Sequence, residues 1–434
     1  MFLWLDDYES EIGFVPLCSF LVRVVMALKK SHLTDYFNVS FYNFLPEVTK
    51  HIKLPQRVIL HDVTLRDGEQ QAGIVFRKEE KVEIAQALSE AGIDRIEAGL
   101  PSVSQSDKEA IREITKLRLG PKIYAFSRCM RQDVDNALDL DIDGLIMEIP
   151  SSDHLIKYGY GWTEKRAIEL SVDATRYAHS HGLKVTFFTI DSTRAPLKVI
   201  SRLVGKVAEE GHMDSLALAD TFGVLNPQAT SYFVKEMRSK LRKEVEIHAH
   251  NDFGLGVANT IAALMAGAKV AHVTVNGIGE RTGNTALEEL VLALHLLYGV
   301  DTSVKFEKLR YLSKVVSKHS RVELPPQKPV VGDGIFTIES GIIAGWWRRL
   351  EKLDMPLEMY PFKPELVGHE GIKVILGKKS GRDSIYYFAE KLGLKLQDET
   401  EIDNILREVK SKSIEKKGPI TEEEFKEILQ KYGL

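Results

Sequence analysis

The sequence predicts an α/β protein: a closed (β/α)8 TIM barrel followed by a small mixed α/β subdomain. Three observations predict it. Eight short runs rich in β-branched and apolar residues recur between positions 57 and 276. Longer amphipathic stretches separate them, and strands that alternate with helices form a parallel sheet. Eight such units fill about 240 residues, close to the ~250 typical of this barrel. An open doubly wound sheet is the alternative, but no run is followed by the G-x-G-x-x-G turn of a dinucleotide site.

The runs, in order, are RVILHD (57–62), DRIEAG (94–99), KIYAFS (122–127), GLIMEI (144–149), KVTFFT (184–189), DSLALAD (214–220), EVEIHAH (244–250) and KVAHVTVN (269–276). The intervening stretches carry helical spacing. In EEKVEIAQALSEAG, Ile84, Leu88 and Ala91 fall on one face and Gly92 ends the helix. The barrel is expected to span 57–300, with an N-terminal extension at 1–56. From 301 to 434 the pattern changes. A helical linker (FEKLRYLSKVVSKHS) leads to the proline-rich PPQKPVVG, a small mixed region to about residue 395, and a charged helical end.

Composition narrows the function classes. The 434 residues are 44% hydrophobic and 28% charged, which fits a soluble globular chain. A net charge of −4 without a basic stripe gives no argument for a nucleic-acid partner. The two cysteines, Cys18 and Cys129, exclude a disulfide scaffold and a cysteine zinc finger and fit the reducing cytoplasm. Residues 14–28 (FVPLCSFLVRVVMAL) are nearly all apolar. The run is shorter than the ~20 residues of a membrane span, Arg23 interrupts it, and acidic residues precede it where a signal peptide would be basic. No membrane role is expected. A buried helix, or a native start at Met26, accounts for it.

Catalytic residues of such a barrel sit at the C-terminal ends of its strands, and the unusual polar residues fall there. After strand one, HDVTLRDGEQQAG brings Asp62, Arg66, Asp67, Glu69 and Gln70; strand two ends with Glu97. A carboxylate after apolar strand residues points into the mouth and needs a partner. On strand seven, alternation turns His248 and His250 to the same side. An H-x-H pair alone fits two hydrogen-bonded core histidines. Strand eight ends in NGIGERTGNTALEE, with Glu280 and Asn284. Strands one, seven and eight are neighbours in a closed barrel, so Asp67, His248, His250 and Asn284 converge. This mixed oxygen and nitrogen set with open positions suits a catalytic divalent metal: Mg, Mn, Zn or Co.

These residues carry a resemblance. L-R-D-G-E-Q after strand one, I-E-A-G after strand two, H-x-H-N-D on strand seven and N-G-x-G-E-R-x-G-N after strand eight resemble the DRE-TIM metallolyase superfamily, and within it the 2-isopropylmalate, homocitrate and citramalate synthases. The match is strong over 57–300 and weaker through VVGDGIFTIESG (330–341) and LGKKSGRDS (376–384). It implies condensation of acetyl-CoA with a 2-oxo acid to a 2-hydroxy-2-alkyl dicarboxylate and free CoA. Asp67, His248 and His250 would bind the metal, with Asn284 as a nearby or fourth ligand. Arg66 would stabilise the enolate or the developing alkoxide, and Glu97 would hold metal-bound waters or assist proton transfer. Thr221 would contact the oxo-acid carboxylate, and Asp191, Arg194 and Gln70 would line the substrate site. The resemblance further implies a homodimer whose partners are otherwise small molecules.

The chain also departs from the family. The synthases usually carry E-D-A-T-R after strand five, where this chain has Ile190-Asp191-Ser192-Thr193-Arg194. Their H-E-S-G-I-H is here Ile338-Glu339-Ser340-Gly341-Ile342-Ile343. The strand-five Arg that homocitrate synthases of lysine biosynthesis use for 2-oxoglutarate corresponds to Thr186. These departures bear on oxo-acid choice and on the route of proton transfer. The leucine-regulatory domain has no counterpart, so feedback through it is not expected. Two other readings remain at this stage: a metal-dependent lyase related to HMG-CoA lyase or an aldolase, and a barrel that binds a metabolite without turnover.

Overall fold

The computed structural model describes residues 33–434. The apolar run at 14–28 and Met26 lie outside the described residues. Eight parallel strands close into one barrel: β1 (Ile59–Asp62), β2 (Arg95–Glu97), β3 (Lys122–Arg128), β4 (Gly144–Pro150), β5 (Lys184–Ile190), β6 (Ser215–Asp220), β7 (Glu244–Ala249) and β8 (Val270–Val273). Pairing of Ile59 with Val270 and Asp62 with Val273 shuts the circle. Each of the eight runs became a strand; five were shortened at one or both ends, and those starting at 122, 144 and 184 each gained a residue.

The strands alternate with α1 (Lys78–Ala91), α2 (Gln105–Lys116), α3 (Arg131–Leu138), α4 (Glu164–Ser180), α5 (Leu197–Glu210), α6 (Pro227–Leu241), α7 (Gly256–Met265) and α8 (Leu287–Tyr298). The expected stripe of α1 is buried at Ile84, Leu88 and Ala91. Gly92 ends it with φ +88°, and a Cβ there would lie 2.2 Å from the Ser303 carbonyl oxygen. Only glycine takes this turn without strain.

Apolar packing is divided between two places. The large core lies between strands and helices and includes Leu60, Ile84, Ile96, Leu145, Phe187 and Leu290. A small cluster fills the barrel itself: Tyr124, Phe126, Ile146, Phe188, Ala217 and Ala219. The rest of the interior is polar.

Beyond the barrel, α9 (Leu309–Ser320) packs along α1. A two-residue parallel pair, β9 (Thr337–Ile338) with β10 (Lys373–Val374), is followed by the packing of α10 (Gly341–Lys352) on α11 (Arg382–Lys391). Helices α11, α12 (Glu399–Lys416) and α13 (Glu422–Lys431) enclose an apolar cluster of their own, with Ile385, Ile402, Val409, Phe425 and Ile428. At the other end of the described chain, Phe37 bridges to Phe362 and joins the large core. No helix among the described residues is long and apolar enough to cross a membrane.

Candidate active site and metal centre

Alternation along β7 sends Glu246 and His248 inward, and His250 follows at the rim. The loop after β8 then turns back on β7. His250 and Asn284 form an isolated antiparallel bridge, the Asn251 N–H donates to the Gly283 carbonyl at 3.0 Å, and the Thr285 N–H to the Ala249 carbonyl at 3.1 Å. Gly283 permits this return at φ +83°, where a Cβ would collide with the Gly277 carbonyl oxygen. Backbone bonding thus sets Asn284 beside His250. Asp67 reaches the same spot from the turn after β1.

These residues face one another. His248 Nε2 lies 2.9 Å and His250 Nε2 3.6 Å from Asp67 Oδ2, and the two Nε2 atoms are 3.3 Å apart. All are buried. Asp67 Oδ1 and Asn284 Oδ1 are buried without a hydrogen-bond partner. Buried acceptors left so are costly, and a cation is the partner this donor set suits. The protonation states agree. Burial holds His248 neutral, pushed down to about 3, and lowers His250 as well. Burial would raise Asp67, but Arg66 and His248 outweigh it and hold the carboxyl well below the usual range. Near neutrality the cluster is one carboxylate and two neutral imidazoles.

Arg66 is fixed on three sides. Its Nε donates to Glu97 Oε1, its Nη1 donates to Gln70 Oε1 at 3.1 Å, and its guanidinium lies 4.0 Å over the Phe126 ring. Nη2 has no partner. Glu97 is taken twice, by Arg66 and by His61 Nε2 at 2.9 Å. Against the effect of burial, Arg66 and His61 hold it at about 2.

A second group stands at β5 and β6. Asp191, at φ +59°, takes both Arg194 nitrogens (2.7 and 3.0 Å), the Ser152 hydroxyl at 2.5 Å, and lies 3.1 Å from His154 Nε2. Its N–H donates to Thr221 Oγ1 at 2.8 Å, which leaves the Thr221 hydroxyl proton free to donate elsewhere. Arg194 stacks 3.9 Å over the Phe222 ring. The predicted residues therefore form two sets: Asp67, His248, His250, Asn284, Arg66, Glu97 and Gln70 in one, and Asp191, Arg194 and Thr221 in the other.

Other charged residues of these loops build structure. Asp62 accepts from the Thr64 N–H and hydroxyl, and burial raises it to about 7. Glu69 accepts the Phe76 N–H and pairs with Lys81. Glu280 pairs with Arg281 at 3.7 Å. The ESG and GKKSG stretches bind each other: the Lys379 N–H donates to Glu339 Oε1 at 3.1 Å.

Sequence reading missed a lower tier of the barrel. His61 meets Glu97, and His272 Nε2 meets Glu246 Oε2 at 2.8 Å. Glu246 Oε1 also accepts from Arg95 at 3.0 Å and Ser215 at 2.6 Å. The two imidazoles lie 4.4 Å apart. Glu148, inward on β4, was missed as well. The available signal was the same for each: a lone polar residue at an inward position of an apolar strand.

The HMGL-like family matches residues 57–316. The chain belongs to this family. Among relatives of this HMGL-like protein, a homocitrate synthase (AksA) of Methanothermobacter thermautotrophicus is 39% identical over 87% of this chain and 95% of the relative. A probable 2-isopropylmalate synthase of Ignicoccus hospitalis is 42% identical over 87% and 93%. An (R)-citramalate synthase (CimA) of Methanocaldococcus jannaschii is 40% identical over 81% and 70%. Three product names at similar identity single out no product. Among solved structures, HMG-CoA lyase of Bacillus subtilis shares the fold, with a TM-score of 0.58 at 21% identity over 63% of this chain and 97% of the lyase.

Proposed function

We propose that this HMGL-like protein condenses acetyl-CoA with a 2-oxo acid and that water then hydrolyses the thioester formed, releasing CoA and a 2-hydroxy-2-alkyl dicarboxylate. The observation that carries the reading is Arg66: a guanidinium clamped by Glu97, Gln70 and Phe126, with one N–H pair unspent, next to the Asp67–His248–His250 cluster. A fixed cation with free donors is what a developing oxyanion needs, because it requires no reorganisation as charge appears. The relatives named as synthases support the same chemistry.

Asp67, His248 and His250, with Asn284 as the fourth donor, would hold a divalent ion. When bound, such an ion polarises a carbonyl oxygen, worth several kcal/mol in the transition state. Arg66 donates to the oxygen on which charge accumulates. Glu97 keeps Arg66 in place and, being anionic, keeps it charged. Thr221 donates its free hydroxyl proton to the oxo-acid carboxylate. Arg194 adds positive charge there, and Asp191 is a positioning residue that holds both. A cleft of about 340 Å3 beside Arg66 and Gln70, bordered by Val75, Lys78 and Val103, is offered to the CoA arm. Its wall combines exposed apolar surface with a cation, matching a pantetheine chain that ends in phosphates.

The test is CoA release from acetyl-CoA, with Mg or Mn, against 2-oxoisovalerate, pyruvate, 2-oxoglutarate, oxaloacetate and glyoxylate. One preferred acceptor is expected, with release lost in Asp67→Ala and His248→Ala. No release with any acceptor from folded, metal-loaded protein would sink the reading. Cleavage of an acyl-CoA without an oxo acid would turn it to a lyase.

A further inference from the structure

Among the described residues, the mouth of the barrel holds one carboxyl group that no hydrogen bond or ion pair engages, Glu148. Glu148 on β4 pairs in register with Arg128 on β3 and Phe188 on β5. Registered neighbours in a parallel sheet share a face. Phe188 points inward, its ring 5.2 Å from that of His248 and 5.6 Å from that of Phe126. Glu148 therefore points into the barrel, one step nearer the mouth than Ile146. It is half-buried, so it is open to whatever enters.

The neighbouring acids are all engaged. Glu97 is held by Arg66 and His61, Asp67 lies against His248, Asp191 is clamped by Arg194, and Asp220 accepts from Thr193 and two backbone N–H groups. Among the described residues, Glu148 makes no side-chain hydrogen bond or ion pair. At the end of β5, the adjacent strand, stands Ile190, which packs with the apolar cluster inside the barrel. That strand brings no acid of its own.

Six charged or titratable groups surround Glu148. Arg66, from the turn after β1, and Arg128, on β3, favour its anion; Asp133 on α3 and Glu97 on β2 oppose it; Tyr160, in the loop before α4, and Cys129, just after β3, are both raised and stand neutral beside it. Burial is the largest influence, and the group is raised to about 7. A carboxyl half ionised near neutral pH is suited to take a proton and give it back.

We propose that Glu148 is the proton-transfer group of this site. The proposal rests on the condensation reading above. The Glu148 carboxylate takes a proton from the thioester methyl group as the C–H bond breaks, and that electron pair forms the enolate. The enolate carbon attacks the oxo-acid carbonyl carbon, a C–C bond forms, and the carbonyl π pair moves to oxygen. Glu148 then returns the proton to that oxygen and is again a carboxylate. Arg66, which faces Glu148, stabilises the charge between the two transfers.

The experiment compares wild type, Glu148→Gln and Glu148→Ala with the preferred oxo acid. In Glu148→Gln, kcat is expected to fall about 10^2- to 10^4-fold, the range for a lost acid–base group. KM for both substrates should stay within about threefold, the change expected when no ground-state contact is lost. Metal content and melting temperature should match wild type. The wild-type kcat should rise with pH on a limb near 7, and the Gln variant should lack that limb. Formate should restore turnover to Glu148→Ala. Retention of the limb and of more than about a tenth of kcat in the Gln variant, a loss well below that range, would overturn the proposal while leaving the condensation intact. Wild-type protein that releases no thiol with any acceptor would overturn both.

Discussion

In the lower tier of the barrel His61 and His272 each meet a glutamate, at 2.9 and 2.8 Å, and both oxygens of Glu97 and of Glu246 are engaged. In the upper tier His248 and His250 meet each other and one oxygen of Asp67, while Asp67 Oδ1 and Asn284 Oδ1 have no partner. The same residue types serve in both, two positions apart on β7. The difference lies in their bonding. In the lower tier the carboxylates are saturated, with only His61 Nδ1 and His272 Nδ1 left without partners, and the network supports the barrel; in the upper tier a carboxylate oxygen and an amide oxygen are themselves unmet, which suits the proposed cation and detracts from stability without it.

The comparison breaks most sharply on an upper-tier substitution. His250→Leu should lower CoA release at least about 10^3-fold, the order set by several kcal/mol of lost stabilisation. Its melting temperature without metal should be unchanged or higher, because an apolar side chain replaces a buried polar one whose needs were unmet. Added metal should raise the midpoint of wild type and not of the variant. A metal-free variant that melts far below wild type would show that the upper tier is structural.

A lower-tier substitution should do the reverse. Glu246→Ala leaves Arg95 and His272 buried without their acid, a loss of about 3–5 kcal/mol by the usual cost of breaking a buried pair. Denaturant titration measures it. The protein that remains folded should turn over within about tenfold of wild type, a change of ~1.4 kcal/mol in the barrier. Undiminished stability would remove the structural role assigned to this tier.

Acid should act on both partners of the lower-tier pair His61 and Glu97 with one sign. His61 is held neutral, down to about 4, by burial and His272, so its contribution is full above its ordinary value of 6.5 and is lost as pH falls through 4. Glu97, held near 2 by Arg66 and His61 against burial, contributes above 4.5 and loses that contribution as pH falls toward 2. Melting temperature should fall steadily from pH 6.5 downward. A midpoint flat between pH 7 and 4.5 would refute the His61 assignment, and one flat between 4.5 and 2 the Glu97 assignment.

The upper tier was legible in the sequence because its residues announce themselves. His248 and His250 stand at period two, and Arg66 and Asp67 lie in a turn too polar for a strand end. The barrel was legible because each β-branched run is followed by a helical period. The lower tier was not, since His61 and His272 are single polar letters in apolar strands, and their glutamates lie 36 and 26 residues away. Glu148 in GLIMEI was hidden in the same way. Its meaning depends on having no partner, and that is a property of space. The mutual clamp of Asp191 and Arg194 crosses a loop whose left-handed turn at Asp191 no residue type announces.

The ring closes by joining β1 to β8, and this has a consequence for the protein during its synthesis. Asp67 emerges from the ribosome before the strands that carry its companions, and Asn284 comes last. Chains grow from the N-terminus, and segments fold as they appear. A nascent chain that stops before β7 owns one carboxylate and no imidazole of the cluster. The proposed cation site would therefore come into being only with the final strands. Capture of an ion there would mark a finished barrel, and an unfinished chain would compete for it with a single carboxylate.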